Sequence, residues 1–192
     1  MNATKGRPRD ASVDTKVIEA TFDTIHETGL VGLSVDGIAA RAGVSKAAIY
    51  RRWRSKEELI VDAIASVVDA AHVPHSGDTR TDLVTAVTHL STFMCDSRAG
   101  VVLPWLAGEI AGQTTLGEWY TAVVMAPKRA AIVVIIERGV EQGELRPDLD
   151  VGTAVDMVIG PLLAKRLGGH LRDAPPSWIE ELVEALLRGW AT

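Results

Sequence analysis

The sequence predicts an all-α fold of about nine helices. Three observations carry that expectation. Apolar residues recur at helical spacing from residue 14 onward, no stretch sustains the alternation of a strand, and residues 35–54 (VDGIAARAGVSKAAIYRRWR) fit two short helices crossing at a glycine turn. With 192 residues, 47% of them hydrophobic, the chain can bury a substantial core as one domain or as a small module on a larger one.

Residues 1–13 are polar and carry Lys5, Arg7 and Arg9, so a flexible basic arm is expected. Its Gly-Arg-Pro triplet suits an A·T-rich minor groove, and a solubilising tail has the same composition. From Asp14, residues Val17, Ile18, Phe22, Ile25 and Leu30 mark a first helix that Gly29 ends. The crossing pair follows at residues 35–42 and 46–52. Ala39 is small where the two helices meet, and Gly43 sits at the turn, where a positive φ is cheap only without a Cβ. Ile49 lies on the inner face of the second. Ser34 and Ser45 are placed as N-caps, though neither has the Glu or Gln three residues on that completes a capping box. A fourth helix, residues 55–71, starts at the cap candidate Ser55 and connects a helix-turn-helix domain (14–60) to the remainder (72–192).

Residues 72–79 (HVPHSGDT) form a loop by composition and mark the domain boundary. Beyond it, Leu83, Val84, Val87, Leu90 and Phe93 give a helix, residues 103–110 a short segment, and residues 116–142 a longer helix broken or bent near Pro127. Residues 143–150 are turn-rich. Residues 151–171 and, after Pro175 and Pro176, residues 177–190 are the last two helices.

The formal net charge of -5 hides an asymmetry. Residues 1–60 carry 10 Lys and Arg against 8 Asp and Glu, whereas the rest carries 10 against 17. A mildly basic end on an acidic body fits one DNA-facing module and excludes general nucleic-acid coating. The single cysteine, Cys95, excludes an internal disulfide and a thiolate metal cluster; an inert thiol is expected. No signal-peptide pattern opens the chain, and the most apolar stretch, residues 123–136, is interrupted by Pro127, Lys128 and Arg129, so a cytoplasmic protein without a membrane partner is expected.

Tyr50, Arg51, Arg52 and Arg54 cluster at the end of the second crossing helix, and Lys56 opens the next, where cations and helix-terminal amides meet phosphates. Ala48, Ile49 and Trp53 should pack inward. That leaves Ser45, Lys46, Ala47, Tyr50 and Arg51 to reach a major groove. A solvated basic face would explain the arginines but not the turn pattern.

Residues 43–59, reading G-V-S-K-x-x-I-Y-R-x-W-x-S-K-E-E-L, and their surroundings from about 14 to 65 resemble the DNA-binding domain of the TetR family of bacterial transcriptional regulators. The resemblance implies an all-helical homodimer that binds a near-palindromic, double-stranded operator and represses transcription until a small-molecule effector binds. It implies that Lys46 and Ala47 contact bases, that Tyr50 and Lys56 contact phosphates, and that Ser34 and Ser45 lie near the DNA backbone. Arg51 and Arg52 stand where many members carry an aromatic residue or histidine, and Trp53 fills a slot usually held by Phe.

Beyond residue 70 the resemblance fades. The last two helices offer apolar faces for a four-helix dimer interface: Val155, Val158, Ile159, Leu162, Leu163 and Arg166 on one, Trp178, Ile179, Leu182, Val183, Leu186 and Trp190 on the other. The same faces could pack within one subunit. The middle helices concentrate large apolar residues, among them Phe93, Met94, Leu103, Trp105, Leu106, Ile110, Leu116, Trp119, Tyr120, Val123 and Met125, as a ligand cavity or a packed core would. Glu109, His89 and Tyr120 are candidates to orient a ligand. His72, His75 and Asp78 have metal-ligand chemistry, but loop polarity accounts for them better. No catalytic residue set, phosphate loop or cofactor motif is present, so neither an enzyme nor a cofactor is expected. An effector-independent regulator or activator, and a helical small-molecule-binding protein without DNA function, are the competing classes.

Overall fold

The computed structural model describes residues 11–191, and their regular structure is helical throughout, with one isolated backbone bridge between Leu145 and Ala191. The basic arm expected at residues 1–13 lies almost wholly outside the described residues. The chain divides into two compact units, one ending at Ser66 and the other starting at Val67.

The first unit holds α1 (Ala11–Gly32), α2 (Val35–Ala42), α3 (Lys46–Tyr50) and α4 (Lys56–Ala65). Its core is Val17, Phe22, Ile25, Ile38, Ile49, Trp53, Leu59, Ile60 and Ile64, all buried. Thr21 and Thr24 are buried among them. Their hydroxyls donate to the carbonyls of Val17 and Ala20 at 2.8 and 2.7 Å, which spares them the cost of an unpaired polar group. α1 leaves helical geometry at Gly29, where φ is 69°. α2 ends in a Schellman turn: Gly43 adopts φ 66°, ψ 35°, its N–H donates to Ala40 O, and the Val44 N–H donates to Ala39 O.

Several boundaries differ from the sequence expectation, and two of them shape the helix-turn-helix unit. α3 stops at Tyr50 rather than residue 52, because the chain tightens there: the Arg52 N–H donates to Ile49 O, three residues back, at 2.8 Å, and the turn delivers Trp53 to the core. α4 stops at Ala65 rather than Ala71. The Ser66 hydroxyl donates to Ala63 O at 2.7 Å, a local bond that competes with continuation of the helix.

The second unit contains α5 (Thr79–Asp96), α6 (Arg98–Val101), α7 (Leu103–Ala111), α8 (Thr115–Tyr120), α9 (Ala126–Glu141), α10 (Val151–Leu167) and α11 (Trp178–Trp190). α5 is its axis, packing against α6, α9, α10 and α11. Asp78 caps α5 through the Thr81 N–H at 2.6 Å, and hydrogen bonding from the Thr81 side chain first, then from this N–H, holds its carboxyl below the usual carboxylate range. Inside, the Asp82 carboxylate accepts from Arg138 of α9 at 2.5 Å and from the Ser76 N–H at 2.8 Å, while the same guanidinium donates to Pro74 O. That network ties loop, α5 and α9 together.

Pro127 does not break the long helix. A π turn (Thr121–Met125) joins α8 to α9, with the Ala126 N–H reaching back to Thr121 O, and the widened ladder absorbs the missing proline donor. Thr115–Glu141 is therefore long and apolar enough to cross a membrane by length and composition. In this fold α9 instead packs on α5 and α10 and buries Ile132, Ile135 and Ile136.

Candidate nucleic-acid interface and cavity

α3 is short because its two ends are fixed independently. The Ser45 hydroxyl accepts from the Ala48 N–H at 3.2 Å, Ile49 is driven into the core, and Trp53 is anchored by its indole N–H donating to Asp62 of α4 at 2.8 Å. With those inner positions held, Ser45, Lys46, Ala47 and Tyr50 are exposed on the outside, and Arg51 is exposed just past the helix. Ser34, also exposed, caps α2 through the Gly37 N–H at 3.1 Å. Lys56 is half-buried in the first turn of α4, whose N-cap Ser55 accepts from the Glu58 N–H.

The cations of this face are not equivalent. Lys46 Nζ donates to Asp36 Oδ2 of α2 at 2.8 Å and lies 6.0 Å from the Tyr50 ring centroid; the Asp36 bond raises its pKa and keeps it charged. Arg41 is committed to Glu27 of α1. Arg52 does not join the outer face: half-buried, it forms an ion pair with Asp14 of α1 and donates to Ala48 O at 3.3 Å. It therefore braces α3 against α1. Arg51, Arg54 and Lys56 carry no ion pair among the described residues, which leaves them available to an outside anion.

The second unit contains a cavity of about 320 Å³. Residues 69–72 form one wall, Ala86, His89, Leu90, Thr92, Phe93 and Asp96 of α5 another, and Ser97, Lys128 and Ala131 close it. Of the residues expected around a ligand, Phe93 lines this cavity, and so does His89, whose ring lies 6.0 Å from that of His72. The others stand elsewhere. Leu103, Leu106 and Tyr120 are packed core, and the Tyr120 hydroxyl donates to Ala99 O at 2.8 Å. Burial pushes the Tyr120 phenol well above its usual range. Trp105 and Val123 are exposed, Trp119 is half-buried outside the cavity, and Glu109 accepts from the Thr114 hydroxyl. The reason is physical: an open volume survives where side chains are small, and Ala70, Ala71, Ala86 and Ala131 mark it better than the large residues that fill space. Among the described residues no three His, Cys, Asp or Glu side chains gather as a metal site; Asp78 is the cap of α5.

The faces offered for dimer contact are in part spent inside the chain. Val155, Val158, Ile159 and Leu162 are buried within the single chain, α10 packing on α5 and α9. Leu186 is likewise buried, and Trp178 and Leu182 are half-buried. What α10 leaves outside is Met157, Gly160, Ala164 and Leu167, with Met157 and Leu167 46% and 55% exposed.

Residues 17–63 match the family described as bacterial regulatory proteins, tetR family, and residues 73–186 match the tetracyclin repressor-like C-terminal domain. The chain is 34% identical to the uncharacterized HTH-type transcriptional regulator YdeS of Bacillus subtilis, over 98% of this chain and 95% of that one. It is 29% identical to the DNA-binding transcriptional repressor TetR of Mycobacteroides abscessus, over 95% and 94% of the two chains. The crystal structure of the TetR family transcription regulator SCO0332 covers 93% of this chain and 98% of its own, with a TM-score of 0.58 and 29% identity. These matches make the chain a DNA-binding transcriptional regulator rather than an enzyme. The chain belongs to the TetR family.

Proposed function

We propose that this regulator is a homodimeric repressor, released from a near-palindromic operator when a small, largely apolar molecule occupies its second unit. The observation that carries the reading is the outer face of α3, where Ser45, Lys46, Ala47 and Tyr50 are all exposed while Ile49 and Trp53 are held inside. Lys46 and Ala47 are the base-reading positions, and Ser34, Tyr50, Arg51 and Lys56 the phosphate and backbone contacts. Arg52 acts through α3 by its bond to Asp14.

A two-fold operator needs two α3 helices at fixed separation, hence a dimer. The exposed Met157, Gly160, Ala164 and Leu167 of α10, with the half-buried Trp178 and Leu182 of α11, supply its apolar face. Release follows if the effector binds one spacing of the two α3 helices better than the other; only that difference in affinity can shift the equilibrium. Repression fits the relative in Mycobacteroides abscessus, itself named a repressor. A cytoplasmic site of action follows from the DNA target.

Fluorescence anisotropy with DNA flanking its own gene tests the reading. Tyr50→Ala, which alters an exposed side chain, should weaken binding while the thermal unfolding curve stays unchanged. Undiminished affinity in the variant would remove α3 as the recognition helix.

A further inference from the structure

Lys128 is the one lysine or arginine lining the cavity of the second unit, and no ion pair neutralises it among the described residues. It reaches the cavity from α9 with its ammonium 4.1 Å from the centroid of the Phe93 ring. Asp69, which also lines the cavity, acts on it through its charge without forming an ion pair, and Asp96 pairs with Arg172 at 2.9 Å. The rings of His72 and His89, also in the lining, lie 6.0 Å apart and are tilted by 53°. Most of the remaining wall is alanine, leucine and phenylalanine. Partial burial already lowers the pKa of this lysine, so its charge is held at a cost that further desolvation would increase.

From this geometry we infer that the cavity takes a small apolar molecule bearing a single carboxylate, with the carboxylate on Lys128 and the apolar body against Phe93 and the alanine wall. The inference rests on the effector reading above and names the chemistry of that same site. A neutral occupant would strip water from the ammonium and return no counter-charge, whereas a carboxylate returns both a charge-assisted hydrogen bond and the opposite charge. A cationic occupant fits worse. The Phe93 face that would receive it already holds an ammonium, Asp96 pairs with Arg172, and the charge of Asp69 already acts on Lys128. The volume, about 320 Å³, sits at the lower end of the roughly 300–1,000 Å³ of small-molecule sites, which favours a compact acid over a long-chain lipid.

Calorimetry with decanoate, 1-naphthoate, decanamide and decylamine on the full chain tests this. Decanoate or 1-naphthoate should bind, and decanamide and decylamine more weakly by about tenfold or more, the worth of a hydrogen bond to a charged group. Lys128→Met keeps the apolar stem and should bring the carboxylate down to the affinity of the amide without changing amide binding; Lys128→Arg should retain carboxylate binding. Binding of neither carboxylate, equal binding of amide and acid, or undiminished carboxylate affinity in Lys128→Met overturns the inference. Operator release is scored separately in the same samples. A carboxylate that binds through Lys128 without releasing DNA supports this site and refutes the effector reading; release by a neutral compound that binds Lys128→Met equally well supports the effector reading and refutes this one.

Discussion

Removing Asp82 should destabilise the second unit while sparing the first. Asp82 is 1% exposed, and its two oxygens serve the Arg138 guanidinium and the Ser76 N–H. In Asp82→Ala the guanidinium keeps Pro74 O as an acceptor but loses its counter-charge, and the Ser76 N–H loses its acceptor. Breaking a buried pair by removing one partner costs about 3–5 kcal/mol. The surviving Pro74 bond and the partial exposure of Arg138 place this case near the lower figure, about 3 kcal/mol. At about 3–4 °C per kcal/mol for a unit of this size, the loss corresponds to a fall of about 10 °C in Tm. Circular dichroism on heating, with urea unfolding at 25 °C for the free energy, measures both. Asp82→Leu with Arg138→Met should recover most of the loss, because apolar replacement of a whole buried pair is close to neutral. A cost below about 1 kcal/mol for Asp82→Ala would refute the view that this network joins the loop, α5 and α9.

Other outcomes follow from the same contacts. Lys56→Ala should reduce the slope of log K against log salt by about 0.9, one phosphate's worth of counterions, because Lys56 is free of ion pairs among the described residues; an unchanged slope removes it from the phosphate contacts. Gly100→Ala places a Cβ 2.7 Å from the Phe93 carbonyl carbon and 2.9 Å from Met94 Cα, backbone that cannot move aside, so a loss of about 1–3 kcal/mol is expected by urea unfolding. Tyr120 ionises in the unfolded chain near pH 10 but at higher pH in the fold, so its contribution is present below that point and is lost as pH climbs beyond it. Tyr120→Phe should flatten this alkaline fall and cost about 1 kcal/mol at neutral pH through the orphaned Ala99 carbonyl. Met157→Asp together with Leu167→Asp should yield monomers by analytical ultracentrifugation with the helical content intact.

The helix-turn-helix was legible because its determinants are local. Ser34, Gly43 and Ser45 act on backbone groups within a few residues, and the structure shows each of those bonds. The inward turn of Arg52 was not legible, since its partner Asp14 lies 38 positions away and no periodicity marks the pair. α10 is ambiguous in the sequence for another reason. Apolar residues surround it, from Val155 and Val158 on one side to Met157 and Leu167 on the other, so the pattern supplies two faces and only tertiary packing chooses between them. The cavity is legible only in part, through Phe93 and His89, because large side chains fill space whereas small residues such as Ala70, Ala71, Ala86 and Ala131 leave it.

Hydroxyl-radical footprinting of the purified protein on DNA flanking its own gene tests the central claim most directly. The account predicts two protected half-sites of an inverted repeat, with centres about one or two helical turns apart, and their loss in Tyr50→Ala. An identical footprint from Tyr50→Ala, or protection with no two-fold symmetry, would contradict it.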